Sequence, residues 1–421
     1  MYKKQFLAVI LLSFFVGLTT TGWTSNVQKT GDKNSNNIYT SGEFAIFNIN
    51  NLRIPLDNKG VLADVDPGDG IGTGGTFGNV VFLFSGGFFL SGYNNEVLWA
   101  NGVMTASRIE DYLPGPVGTS SSDPKNKVYV VKKQDDSFGQ SWQDWKDAVL
   151  IGADYYDGDG DGTYNPVDLN SNGKWETTED RPDLIGDWTA WCVYNDGVQA
   201  ALRRFSAITP KGVEIHQTVF GYDSDEFIGN VMFVRYRLVN SGLVADQFDN
   251  VYFGAVVDPD LGDSNDDLIG CDTTLDAGFT YNEGSDPTYG AKPPCFIIDL
   301  LQGPVTYLPG VTFLDVNGDG IYLDGTDYAL DTACSVGGIL MGVKKYPGAT
   351  NLPAASFTQY MASHPTHGDP NSHIELRNYM VGGKGKNGDS LYVNTWPFGN
   401  GSNLGVDTST ICARFMCSVL K

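Results

Sequence analysis

Basic residues are scarce in this chain: 27 lysines and arginines face 50 aspartates and glutamates, for a formal net charge of −23. Such a surface repels nucleic acid and draws divalent cations, so nucleic-acid binding is set aside. Cysteine is sparse, six residues in 421, with no C-x-x-C pair. That excludes a disulfide-framework mini-protein, a thiol redox centre and a cysteine zinc site. The four histidines are His216, His364, His367 and His373. Pro365 between His364 and His367 prevents the helical spacing that zinc hydrolases use, so all four are read as ordinary strand or loop residues. G-x-S-x-G is absent, and no cysteine stands in a protease-like context. Gly70-x-Gly72-x-x-Gly75 precedes a strand pattern rather than a helix, which makes it a connection and not a nucleotide site. Helical periodicity is missing almost everywhere.

The N terminus is the exception to the lack of long apolar runs. Lys3 and Lys4 precede an apolar segment from Phe6 to Leu18, and small residues follow. Residues 1–22 read as a secretory signal peptide cleaved near Gly22; the run is shorter than the roughly 20 residues of a permanent anchor. Cleavage removes two lysines and no acid, so −23 becomes −25. The expected location is secreted, extracellular or at the outer cell surface, or periplasmic if export stops there, with no transmembrane segment after cleavage. Disulfides are then allowed, and Cys271 with Cys295 is the favoured pair.

Short alternating or apolar runs between Gly, Asn, Asp and Pro punctuation recur along the chain and read as antiparallel strands. Examples are Val80–Phe84 and Phe88–Tyr93 joined by Ser-Gly-Gly, and a meander at 213–222, 230–242 and 250–258. In its second strand Met232, Val234, Tyr236 and Leu238 share one face, and Arg235 and Arg237 lie on the other, as in a half-buried strand. One helix is expected at 141–151, capped by Ser141, with Trp142, Trp145 and Val149 on one face and Gly152 at its end. The fold class that follows is mainly β: a large antiparallel β-sandwich with long calcium-stabilised loop insertions and few short helices. The expected organisation is a signal peptide over 1–22, a β-sandwich region over 23–345 with a calcium-loop insertion at 154–187, and a loop-rich segment over 346–421.

Residues 157–180, "DGDGDGTYNPVDLNSNGKWETTED", carry the chemistry. Two overlapping twelve-residue loops match the spacing by which oxygen ligands surround calcium. The first uses Asp157, Asp159 and Asp161, the Thr163 carbonyl and Asp168. The second uses Asp168, Asn170, Asn172, the Lys174 carbonyl, Glu176 and Glu179. Asp168 therefore serves both loops or belongs to one. From 151 to 187 ten acids face only Lys174 and Arg181, a repulsion that a bound hard cation would offset. Pro182 makes a poor exit helix, so a clamp is expected rather than an opening EF-hand. The loops resemble those of dockerins and thrombospondin-type repeats. A third loop uses Asp315, Asn317, Asp319 and the Ile321 carbonyl, completed by Asp324 or Asp327, with Asp324 taken. A further acidic stretch, 258–276, has seven acids and no base, and lacks loop spacing. The tryptophans around the first insertion read as its hydrophobic footing, with sugar stacking as the alternative.

The phrases "GDWTAWCVYND", "GVEIHQTVFGYDSDEFIGNVMFVRYRLVNSG" and "DNVYFGAVVDPDLGDSNDDLIGCDTTLDAGFTYNE" resemble large secreted surface proteins of gliding-type Gram-negative bacteria, many of them type IX secretion substrates. The resemblance spans roughly 40–415 and implies an extracellular β-scaffold, with no activity attached. Such proteins usually continue past the counterpart of "ARFMCSVLK" into a sorting domain, and a truncated frame or another export route is the expectation here. The expected function is a secreted, calcium-stabilised structural or binding module with Ca2+ as its ion. Surface glycans or self-assembly are the candidate partners, and an extracellular polysaccharide-active enzyme or carbohydrate-binding protein is the alternative.

Overall fold

A computed structural model describes residues 8–17, 42–103, 111–389 and 413–420, except positions 273, 283, 339, 362, 363, 367 and 383; for 8–17 and 413–420 it describes the backbone alone. The expected cleavage point near Gly22 and His367 lie outside the described residues.

The strands in chain order are β1 (Ala8–Gly17), β2 (Phe44–Phe47), β3 (Leu52–Asp57), β4 (Gly75–Phe77), β5 (Val80–Asn94), β6 (Val97–Val103), β7 (Leu113–Pro114) and β8 (Tyr129–Lys132). After helix α1 (Gln140–Leu150) come β9 (Tyr155–Tyr156), β10 (Arg181–Pro182), β11 (Trp188–Asn195), β12 (Val213–Gly221), β13 (Val231–Asn240) and β14 (Asp249–Pro259). Then follow β15 (Asp267–Asp272), β16 (Ala277–Asn282), β17 (Cys295–Gln302), β18 (Val305–Thr306), β19 (Phe313–Leu314) and β20 (Tyr328–Ala329). The last elements are β21 (Thr332–Val336), β22 (Val343–Pro347), β23 (Thr350–Asn351), β24 (Ser356–Met361), α2 (His373–Val381) and β25 (Ala413–Leu420).

Two large antiparallel sheets make the sandwich. Sheet one runs β15-β16-β17-β1-β13-β12-β11-β7, with β8 also on β11; sheet two runs β2-β3-β4-β5-β14-β25-β24, with β6 on β5. The inner faces meet through aromatic side chains. Phe88 of sheet two stacks on Phe253 at 5.1 Å and stands edge-on to Tyr236 of sheet one at 5.3 Å, while Phe47 meets Trp188 at 5.4 Å. Each such fully buried side chain contributes roughly 1.5–3 kcal/mol.

Sheet one also buries part of its outer face. Along β11, Ala190, Cys192 and Tyr194 join the sandwich core, while Trp191 and Val193 join a second cluster with Trp145, Ala148 and Tyr164. That is why β11 is buried at every position, the pattern of a strand covered on both faces. The helix begins at Gln140 with Gly139 at its N-cap and no side-chain cap, so Ser141 lies inside the first turn rather than capping it. Gly152, at φ 109°, follows its end.

Several expectations are corrected. Val80–Asn94 is one strand, because Ser85-Gly86-Gly87 runs straight: a Cβ on Gly87 would strike the carbonyl of Val103 on β6. The turn lies beyond, at Asn95 and Glu96, both with positive φ, as a two-residue hairpin requires. The meander breaks after two strands, since β12 and β13 pair with each other while β14 crosses to sheet two beside β5. Arg235 is buried, because the first insertion covers its face. Cys271 on β15 and Cys295 on β17 are not bonded to each other. Strand β16 lies between them, and Cys271 is level with Ile298 rather than Cys295, so they are separated by at least two strand spacings, more than about 9.6 Å, beyond disulfide reach. Among the described residues of 346–421, β24 joins sheet two, and Ser372 caps α2 by accepting from the Glu375 amide while Glu375 accepts from the Asn371 amide.

The backbone of β1 lies between β13 and β17, with Phe14 opposite Met232 and Ile298. Among the described residues no helix is long and apolar enough to cross a membrane.

Candidate metal centre

The first insertion leaves β9 and returns through β10, a two-stranded ribbon in which Tyr156 lies opposite Arg181. An exit strand therefore stands where an opening EF-hand needs a helix.

Within the ribbon, the chain folds around its own carboxylates. Asp157 accepts from the amides of Gly160 and Gly162 at 2.8 and 3.0 Å, Asp159 from Asp161 at 3.1 Å, and Asp161 from Thr163 at 2.6 Å. In the second loop Asp168 accepts from Asn172 and Gly173, Asn170 from Asn172, and Asn172 from Lys174. In the third, Asp315 accepts from Gly318 and Gly320, Asn317 from Asp319, and Asp319 from Ile321. The sixth-position glycines Gly162, Gly173 and Gly320 have φ of 79°, 75° and 74°, a left-handed turn that a side chain would strain.

One further carboxylate closes each loop, always on the amides of the second and ninth loop residues. Glu179 takes Leu169 at 2.8 Å and Glu176 at 2.9 Å. Asp327 takes Val316 at 2.9 Å and Leu323 at 2.7 Å. In the first loop the closing group is Asp180, which takes Gly158 at 3.0 Å and Asn165 at 2.6 Å. Asp168 thus sits in the second loop, and the first is closed from twelve residues further along. In the third loop Asp324 is placed outside this position, its carboxylate facing the Tyr322 hydroxyl at 3.5 Å, while Asp327 fills it. Glu176 of the second loop accepts from the side-chain amides of Asn170 and Asn172.

Asp157, Asp159 and Asp180 bring carboxylate oxygens within 4.8 Å of one another. Burial, with the charges of Asp159 and Asp157 adding to it, raises the Asp180 carboxyl above its ordinary range against the pull of its two amide donors. The opposite holds for Asp168, whose carboxyl the amide of Gly173 lowers most. Every side-chain donor in the three loops is an oxygen, a set that suits a hard divalent cation and not a thiolate- or imidazole-seeking metal.

The surrounding tryptophans divide. Trp145 and Trp191 are buried in the second cluster, Trp188 belongs to the main core, and Trp175 packs edge-on to Tyr156 at 5.9 Å beside Arg181. Sequence spacing missed Asp180 because its partners lie 15 and 22 residues away. The available signal was the acidic pair Glu179-Asp180, one carboxylate for each loop.

Comparison with protein-family models, with curated proteins and with solved structures finds no match to this chain.

Proposed function

We propose that the protein is an exported β-sandwich whose long loops are fastened by calcium, serving as a structural and binding module outside the cell or on its surface. The observation that carries this reading is the threefold recurrence of one closing arrangement, in which a buried carboxylate takes the second and ninth amides of an oxygen-lined acidic loop. Converging carboxylates that repel one another are offset by a bound dication, and calcium, with its flexible shell of oxygens, suits such loops better than magnesium. The absence of a helix pair around the first insertion favours a clamp over a switch. Resemblance to large secreted surface proteins of gliding bacteria supports placement at the cell surface, with type IX secretion as the route.

Calcium binding to the folded state should raise stability by mass action. The melting temperature of metal-free protein is expected to rise by several degrees at millimolar calcium and to fall back with chelator; an unchanged value rejects the calcium reading. Cleavage near Gly22 would take β1 out of sheet one. The mass of the exported protein decides between the cleaved and uncleaved chain.

A further inference from the structure

Between the first insertion and the ribbon β21–β22, the outer face of sheet one holds a hollow of about 290 Å³. Arg235 and Arg237 form its floor with Thr218 and Trp191, and Lys344 and Tyr346 form part of its wall. Asp154 and Asp183, which bracket the first insertion, complete the charged lining.

Three cations thus meet two carboxylates in a chain whose net charge is −23. The local excess is positive where the molecule as a whole is strongly negative. Arg235 uses Nη2 for Asp183 at 3.1 Å and Thr218 at 3.3 Å, with Asp154 at 3.8 Å from the same nitrogen, and its other guanidinium nitrogens make no hydrogen bond to the described residues. Arg237 is held by Asp154 at 3.4 Å, by the Gly152 carbonyl and by His216 Nδ1. Its side of that last contact is a donor, so His216 accepts through Nδ1. Lys344 lies 5.0 Å from the centre of the Tyr346 ring and has no carboxylate within ion-pair distance among the described residues.

A guanidinium fork with unused donors matches the planar or trigonal oxygens of carboxylate and sulfate. A hollow of this size, at the lower end for ligand sites, holds a single ring with its substituent rather than an extended peptide, which would need a groove or a sheet edge. We propose that this hollow binds one acidic sugar unit of a saccharide, a uronate or a sulfated residue, with Arg235 and Lys344 taking the oxyanion and Tyr346 packing on the ring. The proposal deepens the extracellular binding role argued above and rests on it, though not on calcium.

Titration calorimetry on calcium-loaded protein tests it with trigalacturonate, a sulfated disaccharide, neutral galactotriose and a tetra-aspartate peptide. At least one acidic saccharide should bind at millimolar concentration or below, ten-fold or more tighter than galactotriose and tighter than the peptide; which one binds identifies the acid. Lys344→Gln should weaken that binding at least five-fold with the melting temperature unchanged, and Arg235→Lys should weaken it although the charge is kept. Equal binding of galactotriose, equal or tighter binding of the peptide, no binding of either acidic saccharide, or an unaffected Lys344→Gln variant overturns the proposal. The calcium reading is judged separately by the melting shift without sugar, so the two can fail independently.

Discussion

The first insertion and the module around Asp315 close their acidic loops in the same way and stand on different ground. Loop one rests on the second hydrophobic cluster through its own Tyr164, buried there with Trp145, whereas loop two adds no residue to that cluster; the closing carboxylates Asp180 and Glu179 are each 2% exposed. Loop three belongs to a set of two-stranded ribbons over 305–351. Phe313 is buried there, but Val311, Leu323 and Tyr328 are 67%, 55% and 66% exposed. The same closing geometry therefore stands on a buried cluster at loop one, and at loop three on the smaller packing of Tyr322 against Phe313 and Tyr307. The lesson is that a loop's hydrogen bonds shape it whatever packing lies beneath it; under the calcium proposal, that packing would set how far each loop depends on its ion.

The largest expected effect tests that contrast. If the proposed ions are bound, chelation should accelerate hydrogen exchange at least ten-fold more over 315–327 than over 157–165, because loop one keeps the footing of Tyr164 in the second cluster. Equal acceleration would show that the footing does not matter.

The acidic stretch of 258–276, which lacks loop spacing, sharpens the comparison through pH. Burial, with Asp260, Asp266 and Asp286 nearby and the Leu261 amide only partly opposing, pushes the Asp267 carboxyl from 3.8 up to about 8. A carboxyl raised in the folded state favours folding at low pH, and that contribution is lost as pH climbs from about 4 to about 8. Calcium-free protein should accordingly melt at a lower temperature at pH 8.5 than at pH 6, and Asp267→Asn should flatten the difference. A slope unchanged in that variant would assign the dependence to other groups.

Single substitutions come next in size. Asp180→Ala strands the Gly158 and Asn165 amides and should lower the unfolding free energy by about 2–4 kcal/mol, read from urea denaturation. An unchanged urea midpoint would mean that Asp180 does not close the first loop. Asp327→Ala should cost about 1–3 kcal/mol by the same mechanism, whereas Asp324→Ala should leave the urea midpoint unchanged. The reverse ranking would restore Asp324 as the closing residue.

Much of the fold was legible from residue patterns, and the misreadings have physical causes. Alternation placed Met232, Val234 and Tyr236 in the core, where all three are fully buried. It could not show that Arg235 is also covered, because cover on the outer face comes from residues far away in sequence. Gly86 and Gly87 looked like a turn because glycine suits both turns and close backbone approach; only the contact with Val103 separates the two. An apolar run such as Ala8–Gly17 suits an export signal and a buried strand alike. The α2 cap was present as Ser372-x-x-Glu375, masked by the loop-like residues around it.

Alternation of side chains, glycine placement and the one-two spacing of Asp and Asn are short-range properties, and the sequence by itself determined them: strands, turns and three acidic loops. Which carboxylate closes the first loop, which of Asp324 and Asp327 closes the third, which strand joins which sheet, and the meeting of Arg235 with Lys344 across one hollow came only from the tertiary structure. The reason is reach. An Asp side chain bonds amides a few residues away whatever the fold, whereas Asp180 reaches Gly158, 22 residues back, only because β9 and β10 pair and bring the two together.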